Sequence, residues 1–211
     1  MIPLMDLKAQ YRSLKPEIDL AIARVLEHTQ FIQGPEVRSF EAAFATACGA
    51  PHAIGVASGT AAIHLTLVAL GIGPGDEVIT SAHTFIASAE PILQVGARPV
   101  FADVDPGTGN IDPARLEGAI TPRTRALLPV HLFGLPCDMP ALLDVARRHG
   151  LFVLEDAAQA FGARLAECGD RRAGAIGDAG AFSFYPTKNL GAYGDAGLLA
   201  TNDAELARRA R

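Results

Sequence analysis

The spacing of apolar side chains changes near residue 50, and this change divides the chain into two parts. Residues 1–50 repeat apolar positions every three or four residues, as at Ile18, Ile22 and Val25, which predicts helices with one apolar face. From His52 onward, short apolar runs alternate with helical stretches. We therefore expect an N-terminal helical segment over 1–50 that packs on a large domain over 51–211.

Seven short apolar runs in the second part predict seven strands. They read HAIGVA, EVITSA, RPVFADV, ALLPVHL, FVLEDAA, GAFSFYP and GLLATN. Helical stretches separate most of them, such as SGTAAIHLTLVAL, which Gly71 closes, and IDPARLEGAI, which Asn110 or Asp112 caps. This alternation predicts an α/β fold with a mostly parallel sheet. A loop without a helix joins the last two runs, so one of them is expected to be antiparallel.

The composition narrows the classes of protein to which the chain could belong. It has 211 residues, of which 49% are hydrophobic and 19% charged, and these values indicate a sizeable buried core. A net charge of −5 without a basic run argues against nucleic acid as a partner. No apolar run is long enough to cross a bilayer, and the N-terminus lacks the apolar core of a signal peptide.

The cysteines and histidines predict neither a disulfide framework nor a metal site. Cys48, Cys137 and Cys168 are odd in number and lack the spacing of metal ligands, which fits a reducing cytoplasm. The six histidines are scattered without pairing. We therefore expect a cytoplasmic protein without a bound metal.

The stretch FSFYPTKNLGAYGDAG, residues 182–197, carries the strongest signal for chemistry. Pro186 ends the predicted strand by removing a backbone donor, Lys188 follows at once, and the glycines after it let backbone approach a ligand closely. A lysine at the mouth of a buried strand is poorly solvated, which favours the neutral, nucleophilic amine. The alternative is an ordinary surface lysine on a turn.

Three other groups lie in or just after predicted strands, where parallel α/β sheets bind ligands. The turn Ser58-Gly59-Thr60 precedes a helix, whose N-terminal amides could hold a phosphate, although such residues also cap helices without any ligand. Phe85 could stack on a flat heteroaromatic ring or belong to the core. Ser183, in the run GAFSFYP, could reach the same phosphate.

Two adjacent carboxylates, Glu155 and Asp156, end the predicted strand FVLEDAA. Side chains alternate along a strand, so only one of the two can face a given ligand. A buried aspartate needs a partner. A protonated pyridine nitrogen is one such partner, and a helix N-terminus or an arginine is the structural alternative.

A phosphate cradle, a ring stacker, a carboxylate for a pyridinium nitrogen and a Schiff-base lysine are together the equipment of pyridoxal phosphate (PLP) enzymes. The chain resembles the DegT-type sugar aminotransferases along essentially its whole length. The resemblance rests on IPLMDLKAQY, QFIQGPEV, ASGTAAIHL, GPGDEVIT, HTFIAS, GARPVFADVD, ITPRTRALLPVHLFG, LEDAAQAFGA and FSFYPTKNLGAYGDAG. It implies a three-layer α/β/α fold with a mostly parallel seven-stranded sheet, the large domain of PLP-dependent transferases of fold type I.

The resemblance also implies a role for each candidate residue. Lys188 would bond the cofactor's aldehyde, Asp156 would hold the ring nitrogen protonated, Gln159 would lie near the phenolic oxygen, and Phe85 would stack on the ring. The phosphate would be bound by Ser58, Gly59, Thr60 and Ser183. A dehydratase branch of the family has histidine in place of the lysine, so Lys188 favours amino transfer.

The expected reaction is transfer of an amino group, from glutamate by family analogy, to a nucleotide-linked keto-sugar in a homodimeric enzyme. A non-catalytic module of the same fold and a PLP lyase or desulfurase are the alternatives.

The chain departs from the family pattern in two respects. Ala196 stands where the family commonly has the second glycine of GDGG, and a positive φ there would cost about 1 kcal/mol. The family also continues beyond Arg211 into a small domain that completes the dimer and the substrate site. We therefore expect this chain to be the large domain alone, able to bind PLP but nearly inactive in amination.

Overall fold

The computed structural model describes residues 5–211; the first four residues of the segment expected over 1–50 lie outside that description. The helices are α1 (Leu7–His28), α2 (Pro35–Cys48), α3 (Gly59–Ala69), α4 (Glu90–Gln94), α5 (Pro113–Leu116), α6 (Met139–His149) and α7 (Ala204–Ala210). The strands are β1 (His52–Val56), β2 (Glu77–Ser81), β3 (Arg98–Ala102), β4 (Thr124–Leu128), β5 (Phe152–Asp156), β6 (Arg164–Leu165), β7 (Arg171–Arg172), β8 (Ala179–Ser183) and β9 (Gly197–Thr201).

The main sheet contains all seven of the predicted strands, in the order β1-β9-β8-β5-β4-β2-β3. Strands β3, β2, β4, β5 and β8 run parallel to one another, whereas β9 is antiparallel to both β8 and β1. The predictions of a mostly parallel sheet and of one antiparallel strand at the end of the chain are therefore confirmed. The ribbon formed by β6 and β7 was not predicted, because pairs of two residues are too short to show a period of two.

Helices cover both faces of the sheet, which gives the three-layer α/β/α architecture. On one face, α3, α4 and α7 bury Ile63, Leu67, Ile92 and Leu206 against strand residues that include Leu154. On the other face, α6 packs against a set that includes Val153. Neighbouring residues of β5 therefore belong to opposite cores, as the alternation of side chains along a strand requires.

The two N-terminal helices differ in how they meet the sheet. Helix α2 packs through Phe44, whose ring centroid lies 4.9 Å from that of Phe182 in β8. Helix α1 buries none of its 22 residues, and Tyr11 makes an edge contact with Tyr193 at 5.9 Å between ring centroids. Residues 5–211 contain no helix that is both long and apolar enough to span a bilayer.

Two local predictions need adjustment. The helix expected over IDPARLEGAI is the single turn α5, capped by Asp112, whose Oδ1 accepts from the Ala114 N–H at 2.9 Å; Asn110 instead donates to the Leu135 carbonyl. Ala196 is not among the described residues with a positive φ, so alanine at this position carries no left-handed strain.

Candidate active site

The parallel strands β2, β4, β5 and β8 end along one edge of the sheet, and the loops that follow them bring the candidate residues together. After β8, the Lys188 N–H donates to the Tyr185 carbonyl at 2.8 Å, and the Ala192 N–H donates to the Phe184 carbonyl at 2.7 Å. These two bonds close a compact loop around the half-buried Lys188. The loop conformation therefore determines where Lys188 lies relative to the end of β8.

Lys188 lines an open cavity of about 680 Å³. The other residues that line it are Met5, Asp6, Leu7, Gln10, Phe133, Gln159, Pro186, Thr187 and Asn189. The cavity thus joins the predicted lysine to the predicted Gln159. It also includes the start of α1, which sequence reasoning did not assign to the site.

The residues predicted to bind a phosphate lie where the start of α3 meets the end of β8. Ser58 caps the helix, its Oγ accepting from the Ala61 N–H at 3.0 Å, so this hydroxyl already has a structural role. The next two N–H groups, of Gly59 and Thr60, lack acceptors inside the helix, as in any first helical turn. A Cβ at Gly59 would lie 3.0 Å from the Ser183 Cβ, so Ser183 packs closely against this turn. The structure therefore brings Gly59, Thr60 and Ser183 together.

Asp156 is the last residue of β5, and hydrogen bonds hold both its backbone and its side chain in place. Its N–H donates to the Pro129 carbonyl at 2.8 Å, and its own carbonyl accepts from the His131 N–H at 3.1 Å. Its Oδ2 accepts from the Ser88 hydroxyl at 2.7 Å, and its Oδ1 accepts from the Ala158 N–H at 3.1 Å. The residue is only 7% exposed. Because a carboxylate offers about four acceptor positions and two of them are filled, Asp156 retains capacity for a further donor.

Glu155, one residue earlier, points to the opposite side of the sheet and is fully buried. Its carboxylate accepts from the N–H groups of Gly174, Ile176 and Gly177 at 2.8, 2.7 and 2.6 Å, and it lies 2.8 Å from Nε2 of His131. The His131 Nδ1 accepts from the Cys137 N–H, so Nε2 carries the proton and donates to Glu155. The expectation that only one of the two carboxylates faces a ligand agrees with this arrangement.

Gln159 is oriented by the loop after β4. Its Oε1 accepts from the Phe133 N–H at 2.8 Å, and Phe133 holds a left-handed backbone conformation with φ 54°. Since the amide oxygen faces this donor, Nε2 is left free to donate toward the cavity. Sequence reasoning missed Phe133, because a left-handed phenylalanine breaks the usual preference for glycine and leaves no pattern.

The loop after β2 carries Phe85, whose side chain is 72% exposed and is not among those that line the cavity. The expected stacking role of Phe85 therefore has no contact in the structure to support it. The same loop supplies Ser88 to Asp156, a contact that sequence reasoning also missed. A serine in a short loop gives no sign of a partner 68 positions away.

Comparisons with known protein families and with individual proteins agree on one family. The model of the DegT/DnrJ/EryC1/StrS aminotransferase family matches residues 12–211. The chain is 54% identical over 210 residues to a dTDP-3-amino-3,4,6-trideoxy-alpha-D-glucose transaminase of Streptomyces venezuelae, covering 100% of this chain and 55% of that protein. It is 51% identical over 210 residues to a Geobacillus stearothermophilus protein named pleiotropic regulatory protein, covering 100% of this chain and 56% of that protein.

Among solved structures, the chain matches the crystal structure of S. venezuelae DesV in complex with a ketimine intermediate. The TM-score is 0.96 at 54% identity, and the match covers 100% of this chain and 56% of that chain. The chain therefore spans about half the length of the curated relatives it matches.

Proposed function

The chain belongs to the DegT/DnrJ/EryC1/StrS aminotransferase family, and on that premise we propose that it holds PLP in an enzyme that aminates nucleotide-linked keto-sugars. The observation that carries the proposal is the arrangement at one sheet edge: Lys188 and Gln159 share a cavity, and the Asp156 carboxylate ends the neighbouring strand β5. Lysine at 188 favours amino transfer over the dehydration that the family resemblance associates with histidine.

The residues fit this cofactor on three observations. The close approach of Ser183 to Gly59 leaves backbone N–H groups and a hydroxyl where a phosphate needs donors. Asp156 is buried, yet it has room for one more donor, which suits a protonated ring nitrogen. The amide of Gln159 is oriented as a donor, which suits the phenolic oxygen of the ring.

The chain's own residues then have distinct tasks. When bound, PLP withdraws electrons from the carbon that carries the transferred nitrogen. The Lys188 amine would bond the aldehyde and, once the amino donor displaces it, would carry the proton from the donor's α-carbon to the cofactor. Asp156 would accept a hydrogen bond from the ring nitrogen and keep it protonated. The Gly59 and Thr60 N–H groups and the Ser183 hydroxyl would hold the phosphate, and Ser58 fixes the helix start.

The substrate class rests on the relatives. The name of the S. venezuelae relative specifies a dTDP-linked amino sugar. We propose the same class, a nucleotide-linked keto-sugar, as the acceptor for this protein, and glutamate as the donor by family analogy. Ring stacking by Phe85 is retained in the proposal as a contact that forms only with the cofactor present.

The exposed helix α1 supports a homodimer as part of the proposal. Leu20 and Leu26 are 63% and 59% exposed, and Ile32 beyond the helix is 89% exposed. Apolar side chains in such number usually meet a partner. A mass in solution equal to one copy, measured by light scattering, would contradict the dimer.

A non-catalytic role is the second candidate, and the name of the G. stearothermophilus relative, pleiotropic regulatory protein, favours it. The two candidates differ in whether Lys188 reacts with PLP. The site retains a lysine in the cavity, a carboxylate with spare capacity and a donor amide, and each of these would be unnecessary in a module that only binds other proteins.

Borohydride reduction of the PLP-loaded protein, followed by peptide mapping, tests the proposal. We expect the pyridoxyl label on Lys188, because this lysine lines the cavity while Lys15 pairs with Asp19 on the exposed surface of α1. Lys188→Ala should abolish the label, and the matched control Lys15→Ala should retain it. A label on Lys8 or Lys15, or on no lysine, would overturn the proposal.

A further inference from the structure

We propose that the hydroxyls of Thr84 and Ser88 form a relay that fixes the Asp156 carboxylate in one orientation and stabilises its negative charge toward the ring nitrogen of PLP. The inference rests on the proposed function, since it concerns the residue that would meet that nitrogen. Thr84 and Ser88 are positioning residues in this account, because they act only through Asp156.

The relay is built from two short hydrogen bonds. The Ser88 Oγ lies 2.7 Å from Asp156 Oδ2, and the Thr84 Oγ1 lies 2.7 Å from the Ser88 Oγ. Ser88 is 1% exposed, so water does not compete with either bond at that position. The relay thus connects the loop after β2 to the end of β5.

The chemistry of the three groups determines which one donates in each of the two hydrogen bonds. An ionised carboxylate can only accept, so the Ser88 hydroxyl donates its single proton to Asp156. Ser88 then has no proton left for Thr84, and Thr84 must donate to Ser88. Hydroxyls aligned in this way polarise one another, so the bond to the carboxylate is strengthened by the bond behind it.

The backbones on either side do not need the relay to hold their positions. The Ser88 N–H donates to the Phe85 carbonyl at 3.1 Å, which closes the turn Ile86–Ser88. The Asp156 backbone is bonded to Pro129 and His131. The two hydroxyls therefore act on the carboxylate itself, which distinguishes them from hydroxyls that shape a loop.

Ser81 provides the matched contrast in the same region. It is also 1% exposed, but its Oγ accepts from the His83 N–H at 3.0 Å and makes no hydrogen bond to Asp156. Removal of the Ser81 hydroxyl changes the loop, whereas removal of the Ser88 hydroxyl changes the carboxylate. Comparing the two separates loss of a buried hydroxyl from loss of the relay.

The test uses PLP labelled with ¹⁵N in the ring, bound to the parent protein and to Ser88→Ala, Thr84→Val and Ser81→Ala. The ¹⁵N resonance reports whether the ring nitrogen carries a proton, and a pH titration gives the midpoint. Without Ser88 the carboxylate is less stabilised and competes better for the shared proton. We expect the ¹⁵N resonance at neutral pH to shift toward that of an unprotonated ring nitrogen in Ser88→Ala, to shift less in Thr84→Val, and to be retained in Ser81→Ala and in the conservative variant Thr84→Ser.

Cofactor affinity gives a second readout that does not depend on turnover. At metal sites, loss of an outer hydrogen-bond partner of a ligand typically costs about 10- to 100-fold in affinity, and by analogy we expect the dissociation constant of PLP to rise by about tenfold in Ser88→Ala. In an Asp156→Asn background, Ser88→Ala should add no further loss, because the group it acts on is gone. Equal losses in both backgrounds would mean that Ser88 supports only the loop, and would overturn the relay.

The outcomes also separate this inference from the proposed function. If the parent protein binds PLP with a protonated ring nitrogen but Ser88→Ala titrates like Ser81→Ala, the relay is wrong and the proposed function stands. If the parent neither binds PLP nor shows the protonated nitrogen, the proposed function itself is wrong.

Discussion

Glu155 and Asp156 are neighbours in β5, yet their surroundings differ in kind. Glu155 receives four donors, three from the backbone of the loop 174–177 and one from His131, and it is sealed from solvent. Asp156 receives two donors and lies at the sheet edge that the loops surround. A carboxylate with all its acceptor positions filled holds the fold together. One with positions left over can take a ligand.

This difference also explains why the loop 174–177 has its shape. Gly174 has φ +84°, and a Cβ there would overlap the Phe182 ring, so only glycine brings its N–H to Glu155 without strain or collision. The Glu155 side of β5 is therefore specified by backbone geometry around one carboxylate. The Asp156 side depends on the Ala158 N–H, on the hydroxyls of Ser88 and Thr84 and on the ligand proposed to complete the set.

The largest expected effect comes from removing the Glu155 carboxylate, whose acceptor positions are all filled. Glu155→Ala would leave three buried N–H groups and His131 without their acceptor. Because each unsatisfied buried donor costs about 1–3 kcal/mol, we expect a loss of at least about 3 kcal/mol in the free energy of unfolding. Urea unfolding of the cofactor-free protein measures it. Glu155→Gln keeps the shape but turns an NH₂ toward N–H donors, so a smaller loss is expected. A Glu155→Ala protein as stable as the parent would show that Glu155 is not structural.

The second largest effect is expected from changing Asp156, the carboxylate that still has acceptor positions unfilled. Asp156→Asn removes the charge opposite the ring nitrogen, and a hydrogen bond to a charged group contributes about 1.5–3 kcal/mol. At about 1.36 kcal/mol for each tenfold change, we expect kcat/KM for amination of a dTDP-linked keto-sugar, measured in the enzyme that this domain is proposed to serve, to fall about 10- to 150-fold. Unfolding should change far less than in Glu155→Ala. Turnover equal to that of the parent would remove Asp156 from its role and make Glu155 the residue to test.

The smallest effect concerns a third carboxylate, at the opposite edge of the sheet. Glu77 begins β2 and accepts hydrogen bonds from Arg98, Thr121 and Arg123 at 2.6, 2.7 and 2.8 Å. The Arg98 bond, followed by that of Thr121, outweighs the opposing effect of burial and lowers the pKa of Glu77 to about 2. Glu77 thus also has its acceptor positions filled, but two of its three partners are charged arginines whose side chains are mostly exposed.

Because the pKa of Glu77 is lower in the folded state, its contribution to stability is present above its ordinary value of 4.5 and is lost as the pH falls toward 2. We therefore expect Glu77→Gln to be less stable than the parent at pH 7, and the difference to shrink between pH 4.5 and pH 2. Unfolding curves of both proteins at several pH values provide the measurement. A difference that stays constant down to pH 2 would contradict the role of the charge.

The sequence by itself determined the seven strands of the main sheet and offered the residue types proposed for the site. Seven apolar runs became the seven strands of the main sheet, because burial on both faces leaves a continuous local pattern. Asp156 was predicted as a site residue from its place at the end of a strand and Lys188 from its place in the loop after one, and the opposite directions of Glu155 and Asp156 follow from a period of two. Each of these inferences needs only residues that are close in the chain.

Only the tertiary structure decided which of these residues meet. Ser88 reaches Asp156 across 68 positions, and the amide of Gln159 is oriented by the left-handed backbone of Phe133. Such contacts depend on strand order, register and loop conformation, which arise from packing across the whole sheet. A local sequence pattern encodes which element forms and which of its faces is apolar. The neighbours of each side chain are determined only when the elements pack against one another.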